Sequence, residues 1–494
     1  MLKKILIIVP VALIVVLAGY YAVYKVTGAR LAFDGGMSPR FAQGPANFDS
    51  LEADRARQRA EAASQTTQTS PPAAATDTTV AAAPLGPGAA GDGTAIQQGE
   101  GTAASRGYWP DFRGPNRDGR YVETPIRTDW PRGGLPRLWK QPVGLGYASF
   151  VTANGLAFTI EQRRRQEVVA AYDINTGREV WTHGWNAEFT EYMGGDGPRA
   201  TPTYHEGRIY ALGAVGELRC LDARTGALIW HRDILAENGA TNLQWGMSGS
   251  PLIVDANVIV LPGGPRGHSV AVYDKKTGKP VWHAQDDQAG YMSPMLVTLA
   301  GVRQLLIVSA SRAMGLAVDG GQLLWEYPWV TNQGINVSQP MLLGNDRVFL
   351  SAGYDHGAAV IEISRAGDRF TTRTVWENNR MKNKFTSSVL LNGYIYGLDE
   401  AILACIDAAT GDLKWKGGRY GYGQILLAGD HLVVLTEDGD LVLVKASPDR
   451  HVEVASFPAI DGKTWNHPVI ADGRLLVRNL QEMAAFDLRT GAGR

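Results

Sequence analysis

The residues that would do covalent, redox or metal chemistry are few. The chain's 494 residues include 2 cysteines and 9 histidines. Cys220 and Cys405 cannot make a disulfide framework. The histidines, at 183, 205, 231, 268, 283, 356, 431, 451 and 467, show no His-x-His or His-Glu-x-x-His spacing, so no metal site is expected. Gly246-Met-Ser248-Gly-Ser250 misses a nucleophile elbow at its last position, and no phosphate loop is present. Glu437-Asp-Gly-Asp440 reads as an acidic hairpin turn rather than a calcium loop. Recognition is the chemistry that remains. Tyr147, Arg199, Ser248, Tyr291, Val337, Phe385, Tyr422 and Trp465 each stand two or three residues before the start of a similar strand. Of these, Tyr147, Arg199, Tyr291, Phe385, Tyr422 and Trp465 are suited to a rim that holds a peptide or small ligand on aromatic faces. The bland alternative is that these rings fill contacts between neighbouring structural units.

Equivalent positions need a repeating frame. The pattern Asp-x-x-Thr-Gly-x-x-x-Trp occurs at Asp173…Trp181, Asp222…Trp230, Asp274…Trp282 and Asp407…Trp415. Altered forms end at Trp325 and Trp376, and a seventh ends near Phe457. Successive anchors lie 39 to 52 residues apart, which suits a four-stranded propeller blade. Asp and Thr oxygens bond to backbone amides in a hairpin turn, Gly supplies positive φ, and Trp offers a flat surface to a neighbour. These residues are therefore structural. A second strand family starts near Phe150, Pro202, Ser250, Pro294, Pro340, Ser388, Ile425 and His467, which brings the count to eight. The chain ends in Asp487-Leu-Arg-Thr490-Gly491, a half repeat without its Trp, whereas Leu138-Trp139-Lys140 is a Trp without its turn. Joining the two completes a blade and leaves no open edge. The expected fold is all-β: an eight-bladed β-propeller over 135–494, closed by N- and C-terminal strands, with a lead-in segment over 108–134.

Ahead of it, Lys3 and Lys4 precede an uncharged stretch from Ile5 to Tyr24. About twenty apolar residues span about 30 Å as a helix, enough to cross a bilayer. Residues 1–26 are read as one transmembrane helix rather than a cleaved signal, because Ala18-Gly-Tyr-Tyr-Ala22 is a poor cleavage site. A linker follows over 27–107. It holds a short exposed helix near 50–63, capped by Asp49 and Glu52, and a low-complexity run over 64–105 expected to be disordered. Two charged stretches, Glu161-Gln-Arg163-Arg-Arg165 at a hairpin tip and Asn378-Asn-Arg380-Met-Lys382-Asn-Lys384 in a loop near the rim, are expected to be solvated. A formal charge of −1, from 48 basic and 49 acidic residues, argues against nucleic-acid binding. The expected location is the bacterial inner membrane, single-pass, with the propeller in the periplasm.

The repeats closely resemble the pyrroloquinoline-quinone-type propeller repeat, with its tryptophan-docking motif Ala-x-Asp-x-x-Thr-Gly-x-x-x-Trp. Trp109-Pro-Asp-Phe-Arg-Gly-Pro-Asn-Arg-Asp-Gly119 is similar to the lead-in found before the first blade in many bacterial members. The resemblance implies the fold more narrowly than the function. The family holds quinoprotein alcohol dehydrogenases, which carry a vicinal Cys-Cys disulfide against the quinone and a Glu/Asn/Asp set for calcium. It also holds non-catalytic scaffolds similar to the propeller lipoprotein of the outer-membrane β-barrel assembly machine. Here no two cysteines are adjacent, no segment matches the calcium set, and no cysteine precedes 220 to serve as a lipid anchor. The resemblance thus implies a non-catalytic scaffold that binds an envelope protein or peptide, without pyrroloquinoline quinone (PQQ) or calcium, and the apolar N-terminal stretch adds the expectation of a membrane tether. The alternative is a quinone-dependent oxidoreductase with its site at the channel mouth.

Overall fold

The computed structural model describes residues 30–33, 39–42, 48–68, 107–331 and 334–490. The anchor expected over 1–26 lies outside the described residues, as do 69–105 of the low-complexity run. Among the described residues no helix is long and apolar enough to cross a membrane.

Eight antiparallel sheets radiate around one channel. Blade one consists of Val151–Ala153, Leu156–Arg163, Gln166–Asp173 and Glu179–Asn186, from the channel outward. Blades two to seven repeat this order at 203–233, 252–284, 295–328, 341–378, 389–419 and 424–458. Blade eight takes Val469–Ala471, Arg474–Arg478 and Glu482–Asp487 from the C-terminal end and Arg137–Pro142 from the other, with Ala485 opposite Trp139. The ring closes as the two half repeats require. Arg120–Tyr121 adds a parallel strand beside Gln424–Ala428 of blade seven.

Burial explains the composition. Each blade is sandwiched between two others, so its middle strands are buried on both faces and read as unbroken apolar runs, such as Val168–Tyr172. The outer strand meets water, and Glu179–Asn186 alternates in exposure accordingly. Every outer strand carries a bulge at the residue before its Trp position, which twists the free edge and makes it a poor template for further pairing.

The turn chemistry fixes the seams. Asp173 Oδ1 accepts from the Asn175 amide at 3.0 Å and from the Thr176 amide and hydroxyl, both at 2.9 Å. The turn places Gly177, at φ +67°, beneath Trp139 of the preceding blade, where a Cβ would stand 2.6 Å from the indole. Trp139 Nε1 then donates to the Ile174 carbonyl at 3.0 Å. Trp181, Trp230, Trp376 and Trp415 donate in the same way to Ala223, Lys275, Ala408 and Ser447. Trp325 departs from the pattern and donates to Gln304 of its own blade at 2.5 Å.

Three expectations about exposure are corrected. The helix expected near 50–63 runs from Phe48 to Gln68 and docks on the closing seam, with Leu51, Arg55 and Gln58 buried. Arg55 Nη2 donates to the Pro142 carbonyl at 2.6 Å, and its Nε lies 3.3 Å from Glu179. Asp49 and Glu52, expected as a capping pair, receive Arg164 at 2.6 and 2.8 Å. The Glu161–Arg165 stretch is only partly solvated, because its strand lies inside blade one. Buried Glu161 accepts from the Gly144 amide at 2.9 Å and from the Tyr172 hydroxyl at 3.1 Å. Within 378–384, Met381, Asn383 and Lys384 are buried, because this loop turns inward ahead of blade six.

Candidate binding site at the channel mouth

The lead-in over 108–134 threads into the channel and seals one end. Arg113 and Arg117 adopt left-handed φ values of 64° and 55°. Arg113 donates to the carbonyls of Ser387 at 3.3 Å and Ser388 at 2.8 Å. Arg117 donates to those of Ser250 at 3.2 Å and Pro294 at 2.9 Å, and pairs with Asp111 at 2.7 Å. Carbonyls that converge on the axis need donors, and a guanidinium satisfies several at once. Phe112 meets His467 edge-on, at 6.0 Å between centroids, and together they floor what lies beyond.

What lies beyond is a cavity of about 400 Å³, a size typical of ligand sites. Tyr147, Arg199, Tyr291, Phe385 and Trp465 all line it, with Ser248 and Val337 between them. One predicted rim residue, Tyr422, is not part of the lining and stands edge-on to Phe385 at 5.5 Å. Trp465 stacks on Tyr147 at 5.2 Å and meets Phe385 at 4.5 Å in a tilted contact, and Tyr291 lies tilted against Trp245 at 5.9 Å. The rings therefore pack on one another across blades and also present faces to open space.

Among the aromatic and ionisable lining residues, sequence reasoning did not place Phe112, Tyr354 and His467 at the mouth, whereas Lys384 belongs to a loop it put near the rim.

Cations rest on the rings. The Arg199 guanidinium lies 4.5 Å from the Phe189 centroid and 5.7 Å from that of Tyr147, and donates to the carbonyls of Gly195 and Gly197. The Lys384 ammonium lies 4.6 Å from Tyr422 and 5.0 Å from Tyr354. Burial lowers the pKa of both cations. Lys463 lies 3.7 Å over Trp465 and donates to the Met193 and Gly194 carbonyls at 3.1 and 3.0 Å. Glu437 accepts from Trp465 Nε1 at 2.9 Å and from the Tyr422 amide at 3.2 Å, which fixes the orientation of both. Burial pushes the Tyr422 hydroxyl up to about 12 and raises that of Tyr147, so both are neutral donors near pH 7.

Comparison with known proteins places this architecture. The family profile described as outer membrane protein assembly factor BamB matches residues 165–417. The chain belongs to that family. It is similar to the BamB of Burkholderia pseudomallei, with 22% identity over 374 residues, which covers 65% of this chain and 91% of that protein. Among solved structures, the BamB-family fold is matched by BamB from Moraxella catarrhalis at a TM-score of 0.52 and 15% identity, over 73% of this chain and 99% of that one. Quinohemoprotein alcohol dehydrogenase ADH-IIG of Pseudomonas putida is also similar, with 28% identity confined to 123 residues, 23% of this chain and 16% of the enzyme. The ADH-IIG structure superposes at a TM-score of 0.56 and 14% identity, over 78% of this chain and 82% of that one, a likeness of fold.

Proposed function

We propose that this propeller is a non-catalytic scaffold of the cell envelope that docks a protein or peptide at its ringed mouth. The carrying observation is the cavity itself: it is floored by the lead-in and walled by rings from several blades. Flat aromatic faces with polar tips are what recognition sites use as anchors. Membership of the BamB family supports protein partners in envelope assembly. The near-neutral charge gives no support to a nucleic-acid partner.

The proposal includes no PQQ and no calcium. The family's dehydrogenases need a cysteine pair and a carboxylate set, and the residues present do not fit. Cys220 in blade two and Cys405 in blade six are free and buried in separate sheets. No Asp or Glu lines the cavity. Among the described residues no group of three or more His, Cys, Asp or Glu is placed to hold a metal ion. The oxidoreductase alternative rests on the short stretch shared with ADH-IIG.

We also propose that residues 1–26 hold the chain in the bacterial inner membrane with the propeller in the periplasm. Support comes from the uncharged Ile5–Tyr24 stretch and its flanking lysines.

The test is co-purification of the full chain from envelope membranes, as wild type and as Tyr291→Ala/Trp465→Ala. An envelope protein should be retained by the wild type and lost from the variant. Retention by both would remove the mouth from the docking surface. Cofactor absorbance and dye reduction after addition of quinone and calcium would overturn the non-catalytic reading.

A further inference from the structure

The charge of the cavity wall narrows what can enter it. Arg199 and Lys384 are the charged residues of the lining, and both are cations. The hydrogen bonds of Arg199 go to two neutral carbonyls, and the carboxylates of Glu191, Asp196 and Glu167 act on its charge from outside the lining. Aromatic rings by themselves attract cations. Here that attraction is already used, with Arg199 over Tyr147 at 5.7 Å and Lys384 over Tyr354 at 5.0 Å. A cationic guest would meet two like charges in a site partly shielded from water, where repulsion is strong. An anionic guest would meet two positive charges in the lining itself, the carboxylates that act on them (Glu191, Asp196 and Glu167 on Arg199; Glu400, Glu437 and Asp355 on Lys384) lying outside it.

The floor adds no charge to the cavity. His467 is buried, and its Nε2 lies 3.1 Å from the Ile425 carbonyl. A carbonyl oxygen can only accept, so Nε2 carries the hydrogen. Burial holds the ring neutral. Nδ1 is therefore an acceptor, and among the described residues it is a buried nitrogen with no hydrogen-bond partner. This acceptor is sealed from solvent, so it is a cost carried inside the fold and not a contact offered to a guest.

We infer that the docked segment anchors through an aromatic side chain beside a carboxylate, with the ring on the faces of Trp465, Phe385 and Tyr291 and the carboxylate between Arg199 and Lys384. A volume of about 400 Å³ is near the small end of ligand sites, which suits one anchoring residue with its flanking backbone. The carboxylate belongs either to a neighbouring Asp or Glu or to a chain end. This inference rests on the mouth being the docking surface.

The test uses the full chain in detergent and blocked peptides centred on phenylalanine, followed by calorimetry. One peptide carries flanking glutamates, a second has glutamines in their place, a third has lysines, and a fourth ends in phenylalanine with a free carboxylate. The glutamate or free-carboxylate peptide should bind about tenfold or more tighter than the glutamine peptide at low salt, with the gap closing as salt rises. Whichever of the two binds tighter names the source of the carboxylate. Lys384→Gln should erase most of the gap between the glutamate and glutamine peptides, with the melting curve confirming a folded protein. Equal affinities, tighter binding of the lysine peptide, or a gap that survives Lys384→Gln would overturn the inference. If envelope capture is lost in Tyr291→Ala/Trp465→Ala while the peptides show no charge preference, docking at the mouth stands and the anionic anchor falls. If capture survives that variant, the docking reading itself falls.

Discussion

Trp465 on the approach to blade eight and Phe385 on the approach to blade six meet at 4.5 Å between centroids, tilted by 37°, past the intervening blade seven. A ring that only filled a seam would touch the adjacent blade. This pair instead spans a sector of the channel mouth, and Trp465 continues to Tyr147 of the first blade's approach at 5.2 Å. The fold's core does not include these contacts, so losing them should affect recognition far more than stability. In Tyr291→Ala/Trp465→Ala, partner affinity should fall by about 10- to 100-fold, as for hot-spot residues. The melting temperature should move by less than about 3 °C, as for substitutions outside the core. Calorimetry reads both, and a drop of about 10 °C would assign the rings to blade packing instead.

The sealed end has the opposite balance. Arg117 is buried and satisfies carbonyls of blades' inner strand starts while pairing with Asp111. Arg117→Met leaves those carbonyls without donors and Asp111 without its cation, which should cost about 2–4 kcal/mol. Arg117→Lys should recover only part of it, because an ammonium cannot reproduce the fork. Urea unfolding midpoints would show whether the order Arg, Lys, Met holds.

The docked helix permits a contrast between buried and exposed pairs. Arg55 is 2% exposed between Pro142 and Glu179, whereas Arg164 is 53% exposed beside Asp49 and Glu52. Arg164→Ala should change stability by less than about 1 kcal/mol, the range of solvated pairs. Arg55→Ala should release the helix and speed amide exchange over 48–61, because its partners are buried. Equal exchange in the two variants would contradict this ranking.

Glu167 gives a pH dependence with a definite sign. Its Oε1 accepts from the Ala214 amide at 2.7 Å, and its buried Oε2 has no partner among the described residues. Burial raises its carboxyl from the ordinary 4.5 to about 7, with Arg199, Glu217 and Arg219 as the charged neighbours. The fold therefore holds this proton more tightly than the unfolded chain does. That contribution is complete below 4.5 and is lost as pH rises through about 7. Between pH 5 and 8 the wild type should lose on the order of 2–3 kcal/mol of unfolding free energy that Glu167→Gln keeps. Parallel pH profiles for the two proteins would refute the assignment.

The wheel was legible in the sequence because its chemistry is local and repeated. An Asp that bonds two amides and a hydroxyl within its own turn does so wherever that turn occurs, as at Asp173, Asp222 and Asp274. The half repeats at Trp139 and Asp487 likewise pointed to closure. Equivalent register predicted that Tyr147, Arg199, Tyr291, Phe385 and Trp465 converge, and they share one cavity. Register alone did not place Tyr422, which lies behind Phe385, while Lys384 reaches the lining from a loop. Arg113 and Arg117 escaped notice because they bind backbone carbonyls, which every sequence has. The helix Phe48–Gln68 reads as solvated because Leu51 is the lone large apolar residue among its buried contacts; Arg55 and Gln58 dock through partners distant in sequence.

Site-directed photocrosslinking in cells addresses the docking surface itself. A benzophenone side chain placed at position 291 in the full chain sits in the cavity wall, and one at position 454 sits on the exposed outer strand of blade seven, where Val454 is 44% exposed. Docking at the mouth requires a covalent product with an envelope protein from position 291 and none from 454. A product from 454 alone would show that partners bind the rim of the wheel and leave its mouth empty.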